Sequence, residues 1–166
     1  MHKRSVLSLR YVDTEIERAR WRATANVRVV PSLQLGLEFN VVVEEVNPLA
    51  TWFLMTETEH RPALFLGTSS DRIGSPKGAQ AYYLTAAKYL APVRTSPYVS
   101  LNYSEWDNGW NVPFGANVEL GGGVSVRPMY DGKRTHLLGM VATEHFSVTA
   151  IWAWLERAGV AVSYGF

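Results

Sequence analysis

Three histidines, His60, His136 and His145, are the bases this 166-residue chain offers away from its start, where His2 lies. Acyl transfer or lipid hydrolysis would need one of them beside a serine, with an acid or amide orienting the ring. Ser147 stands two residues from His145 on the same face of an extended run, but no third member is in view. His136 follows a hairpin loop, whereas His60 and His145 sit at turns of the opposite end of an up-and-down arrangement, so the three cannot share one site. Each reads as a solvated turn residue. No histidine pair has metal-ligand spacing. The absence of cysteine removes disulfides, thiolate metal sites and cysteine nucleophiles together. Gly121-Gly122-Gly123 precedes a strand and not a helix, so it is a turn and not a phosphate cradle. The expectation is a protein without enzymatic activity, cofactor or metal.

A net charge of +1 carries no nucleic-acid footprint. The length fits a single domain over residues 1–166. No run approaches the roughly 18 apolar residues of a membrane helix. Membrane strands need only about 9–11 residues, half of them facing lipid, and leave no such signal. Met1-His2-Lys3-Arg4-Ser5 has no apolar stretch or cleavage site behind it. A barrel exported across an inner membrane would therefore have lost its signal peptide. A chain complete as made would count against a membrane location.

Two-residue alternation recurs almost everywhere, and helix signals are scarce. Runs are expected at about 5–13, 18–30, 32–43 (ended by Asn47-Pro48), 49–56, 63–68, 79–90, 97–104, 111–120, 124–130, 135–143, 146–154 and 159–166. That is about twelve strands, an even number. Connections after odd runs are mostly longer and more charged. Those after even runs are mostly brief, with Ala91 to Pro97 as the exception. The fold class is all-β, an antiparallel up-and-down barrel.

Alternation alone does not say which face is wet, because soluble and membrane barrels share the same period. The polar face decides. A soluble surface is rich in lysine and other charges, yet Lys3, Lys77 and Lys133 lie at ends and turns and only Lys88 lies inside a run. Ser100, Asn102, Asn111, Gly115, Asn117, Ser147, Thr149, Ser163 and Gly165 make a small, polar face suited to a lumen. Trp21, Trp52, Tyr98, Trp106, Trp110, Tyr130 and Trp154 stand near run ends, where aromatic belts form. Arg20, Arg22, Arg28, Glu38 and Glu119 are the expected lumen-lining charges. Arg22 would lie opposite or diagonal to Glu38, either gating the interior or stiffening the wall.

The final run sets Val160, Val162, Tyr164 and Phe166 on one face against Ala161, Ser163 and Gly165, and the chain stops on an aromatic. This ending resembles the closing strand of bacterial outer-membrane β-barrels. The resemblance implies that these four residues are the signal read by the outer-membrane assembly machinery, and that a lipid bilayer surrounds the protein. Tyr130-Asp131-Gly132-Lys133-Arg134-Thr135-His136 with Trp152-Ala153-Trp154-Leu155-Glu156 is similar to the barrel part of YjbH-type proteins. That family is implicated in exopolysaccharide production and export. The expected function is an outer-membrane pore, export component or structural element. The alternatives are a soluble ligand-binding barrel with its apolar face inward, and an outer-membrane lipid-modifying enzyme using His145.

Overall fold

A computed structural model describes residues 4–166, so Met1, His2 and Lys3 lie outside the described residues. The chain forms one closed antiparallel barrel of twelve staves. In chain order the strands are β1 (Ser5–Val12), β2 (Trp21–Val30), β3 (Leu33–Asn40), β4 (Glu45–Met55), β5 (Ala63–Ser70), β6 (Gln80–Ala87), β7 (Thr95–Ser104), β8 (Gly109–Asn111), β9 (Phe114–Gly121), β10 (Val124–Tyr130), β11 (Thr135–Ala142), β12 (Phe146–Ala153) and β13 (Arg157–Gly165). β8 and β9 are two pieces of one stave: both pair with β7, one on each side of Pro113. Proline has no N–H to donate, so the run expected to be continuous from Asn111 is broken there.

Closure joins the two ends of the chain. β1 pairs with β13 from Val6↔Gly165 to Val12↔Gly159. The amide of Ser5 donates to the Phe166 carbonyl at 2.9 Å, and that of Phe166 donates back to Ser5 at 3.0 Å. Inside the seam the hydroxyls of Ser8 and Ser163 lie 2.8 Å apart. An even number of staves returns the chain to the rim it left, here the end with the shorter turns. Three ladder irregularities, at Arg28/Val30, Phe53/Met55 and Val124/Ser125, all lie at that rim, where bulges let a barrel edge bend.

The faces are sorted oppositely to those of a water-soluble barrel. Most leucines, valines and aromatics of the long staves point outward, with Leu37 56 % and Val162 45 % exposed, whereas Glu38, Asn40, Asn47, Ser104 and His136 are buried. The inward-apolar arrangement is not the one this chain adopts. Val160, Val162, Tyr164 and Phe166 all stand on the outer face.

Several boundaries differ from the sequence expectation. Asn47 and Pro48 do not end the third strand: they lie inside β4, paired with Glu38 and Leu37. The β4–β5 ladder begins only at Ala50, which leaves Pro48 a side where its missing N–H has no partner to lose. Val41 and Val43 belong to the preceding turn. Arg18 and Arg20 do not begin β2 but sit in a one-turn helix, α1 (Glu17–Arg20). The short-turn rim has two long connections, at residues 56–62 and 88–94, not one.

Two expected belt aromatics, Tyr98 and Trp154, point inward. Tyr98 leans over Gly115 and Tyr83 over Gly67, each covering a glycine of the neighbouring strand whose place a Cβ would contest. Trp154 is buried at the opposite rim. Trp21, Trp52, Trp106 and Trp110 are exposed.

Candidate functional site

At the long-loop end the chain folds back into its own barrel. Val12, Ala19, Ile151, Ala153 and Trp154 form the buried apolar cluster, and Ile73, Leu138 and Ala161 pack against it. The 13–20 connection contributes Ala19, and the 71–79 connection contributes Ile73. Trp154 comes from a tight turn in which both central residues, Trp154 (φ +55°) and Leu155 (φ +57°), are left-handed. That conformation strains a side-chain-bearing residue. The turn is closed by the Glu156 amide donating to Ala153 at 3.0 Å.

His136 holds this turn in place. The Trp154 amide donates to its Nδ1 at 3.0 Å, so the ring proton sits on Nε2, 2.6 Å from Asp131 Oδ2. Burial works to raise the Asp131 pKa, but the hydrogen bonds from His136 and from the loop amides of Arg134 and Lys133 bring it below the ordinary 3.8. With both ring nitrogens engaged, His136 is a brace and not a base. It is 2 % exposed, contrary to the expectation of a solvated turn histidine. His60 is exposed. His145 turns its Nδ1 to the Gly165 carbonyl at 3.2 Å, whereas Ser147 lies in register with Ser163. The structure does not bring the two into a hydrogen bond.

Around the apolar cluster runs a lattice of ion pairs. Arg18 of α1 grips Glu45 with Nε at 2.6 Å and Nη2 at 3.1 Å, and also donates to Ser75. Asn47 and the Gly78 amide complete the Glu45 carboxylate, each at 2.7 Å. Arg22 Nη2 lies 2.5 Å from Glu38 Oε2, and the Ser70 hydroxyl reaches both Glu38 oxygens. The Ser104 hydroxyl donates to Asp71 at 2.6 Å. Arg72 forks onto Asp107 at 2.6 and 2.9 Å and lies 4.1 Å over the Trp106 ring. That fork holds the Asp107 pKa below its ordinary 3.8. Breaking one partner of a pair as buried as Arg18–Glu45 costs roughly 3–5 kcal/mol, because the other charge is left stranded.

The lumen below is divided. A cavity of about 280 Å³ lies directly under the cluster, between Arg10, Arg22, Asp71, Met129 and His136. A waist of about 60 Å³ at Ser125, Arg127, Leu138 and Met140 follows. Two wider spaces adjoin it: one of about 330 Å³ beside Thr85, Tyr98 and Ser100, and one of about 250 Å³ at the short-turn rim beside Arg94 and Glu119. The interior is closed toward the long loops and roomier toward the short turns.

No protein-family model matches the chain, and no curated protein matches it. The site therefore rests on its own geometry.

The expected lumen residues separate by height. Arg22 and Glu38 meet as anticipated: Thr24 is the residue in register with Glu38, which places Arg22 on the diagonal. Arg28 faces inward near the short-turn rim, its guanidinium 4.5 Å from the Phe53 ring. Glu119 has inward parity but sits exposed at the rim, accepting from the Tyr89 hydroxyl at 3.3 Å. Partial desolvation of the phenol, and after it the nearby Glu119 carboxylate, raise the Tyr89 pKa above 10.0. Arg20 does not line the wall. As the last residue of α1 it donates to the Thr14 carbonyl at 3.2 Å, bracing its own loop.

The sequence reading missed Arg10, Arg18, Glu45, Asp71 and Arg72. Arg10 was accessible, since it alternates with Leu9 and Tyr11 as clearly as Arg22 does with its neighbours. Asp71 and Arg72 carried no signal, because a polar connection looks the same whether it projects into water or folds into a lumen.

Proposed function

We propose that this protein is a non-enzymatic outer-membrane β-barrel surrounded by lipid, with its lumen stoppered from the long-loop side. The observation that supports this is the sorting of faces, with contiguous exposed leucine, valine and aromatic side chains outside and serine, asparagine, glutamate and arginine inside. Water-soluble monomers rarely expose apolar patches beyond a few hundred Å². Short turns at one rim and longer, charged loops at the other fit periplasmic and extracellular ends respectively. Val160, Val162, Tyr164 and Phe166, outward on the closing strand, are the residues we assign to recognition by the assembly machinery.

Within this reading the barrel is a gated pore or export component, or a structural element, and not a static open channel. Passage of a polysaccharide chain, as the likeness to YjbH-type barrels implies, requires the Trp154 cluster and α1 to leave the lumen. Folding the purified chain with and without detergent is the test. A β-rich species that forms only in detergent and changes gel mobility on boiling is the expected result. A monodisperse β protein in plain buffer would overturn the proposal. Planar-bilayer recordings then separate the subclasses: a closed baseline with brief openings indicates gating, and silence at all voltages indicates a structural barrel.

A further inference from the structure

Arg10 and Arg22 stand directly opposite each other on β1 and β2, both facing inward. Like charges in register on neighbouring strands destabilise the ladder. Glu38 answers for Arg22, with Oε2 at 2.5 Å. No carboxylate among the described residues pairs with Arg10. The Nε atoms of both arginines are buried with no acceptor. Leaving such donors unmet is unfavourable, and more so where they are charged.

Carboxylates nearby do not relieve this, because each is committed elsewhere. Asp71 accepts from the Ser104 hydroxyl and from the amides of Arg72 and Trp106. Asp131 accepts from His136 and from the amides of Lys133 and Arg134. The two guanidiniums border the same 280 Å³ cavity. That space is several times the roughly 30 Å³ share of one water molecule and accommodates a compact tetrahedral ion with part of its hydration.

We propose that this cavity binds a phosphate-type oxyanion between Arg10 and Arg22. A guanidinium presents parallel N–H donors that match two oxygens of such an ion. Arg10 brings an uncommitted guanidinium and one uncompensated positive charge, and Arg22 beside it on the neighbouring strand adds the Nε that its pairing with Glu38 leaves free. Arg127 lines the waist that shares Leu138 with this cavity, and Arg94 lines the space at the short-turn rim. A line of arginines thus leads from the short-turn rim to the site, the direction left open by the Trp154 cluster. The inference concerns the inner wall alone and holds whatever surrounds the barrel, so its failure and that of the membrane reading are told apart by separate measurements.

Thermal unfolding of the folded barrel, in whichever medium keeps it monodisperse, tests the site at ionic strength held constant with chloride. Inorganic phosphate, and separately a hexose phosphate, distinguish a free ion from a phosphorylated solute. Ligand bound only by the folded form raises Tm saturably, and an upward shift of several degrees with either probe is expected. Arg10→Gln, which removes the like-charge opposition and so keeps the barrel foldable, should abolish the shift. Arg28→Gln at the rim should retain it. Broadening of the phosphate ³¹P resonance by the wild-type protein, reversed by sulfate, reads the same site without a variant. No shift and no broadening with either probe would overturn the proposal, as would a full shift surviving in Arg10→Gln.

Discussion

The two halves of the lumen solve different problems with the same β-strands. Toward the long loops, Arg18, Arg22, Glu38, Glu45, Asp71 and Arg72 interlock around the Trp154 cluster and cap the lumen over the 280 Å³ cavity. Toward the short turns, small residues dominate: the hydroxyls of Thr85 and Ser100 lie 2.6 Å apart, and much of the wall borders open space. Ion pairs are concentrated where loops must be held inside, whereas toward the short turns the wall is built of hydroxyls and amides with single arginines, Arg28, Arg94 and Arg127, among them. Ion pairs in the first half are therefore structural clamps, and their loss should be felt far more than the loss of any contact in the second.

The sharpest way to break this contrast is Glu38→Ala. It strands Arg22 and Ser70 and leaves Arg10 and Arg22 facing each other uncompensated. A loss of about 3–5 kcal/mol is expected in denaturant unfolding of the folded barrel. Trp154→Ala, which removes the largest member of the apolar cluster, should cost about 3 kcal/mol. It should also raise the open probability in planar bilayers, which Glu38→Ala in the wall need not do.

Acid should loosen the same end first. The folded pKa values of Asp107 and Asp131 lie below the ordinary 3.8, so their stabilising effect is complete above that value and is lost as pH falls through the folded values. Tryptophan fluorescence, compared between the wild type and a Trp154→Phe variant to isolate Trp154 among the six tryptophans, is expected to change below pH 3.8 before the strand signal in circular dichroism does. Simultaneous loss of both would contradict a separable stopper. In the open half, Ser100→Ala removes one hydroxyl contact and should cost about 1 kcal/mol. Arg28→Ala at the rim should cost less than 1 kcal/mol, measured in the same denaturant titration.

The strands were legible because outward residues such as Leu33, Leu35, Leu37 and Phe39 repeat every second position, and a period of two admits no other regular structure. The polar face was legible for the same reason, down to the diagonal of Arg22 and Glu38. What escaped was everything decided by the third dimension at the rims. Trp154 looks like any aromatic at a strand end, and only the left-handed turn held by His136 carries it inward. Arg20 continues the arginine alternation on paper, but the one-turn helix rotates it out of phase with the wall. The 71–79 connection has ordinary loop composition, and its insertion depends on partners in α1, β4 and β7 that are remote in sequence.

The seam between β1 and β13 dictates when this molecule can come into being. Ser8 and Ser163 are 155 positions apart, so the contact that closes the ring joins the two strands of the barrel that lie furthest apart in sequence. A nascent chain at any earlier stage is a sheet with two open edges, each a template for pairing with another molecule. Closure thus waits for β13, and a chain that lacks it must be kept apart from its neighbours until that strand has been added.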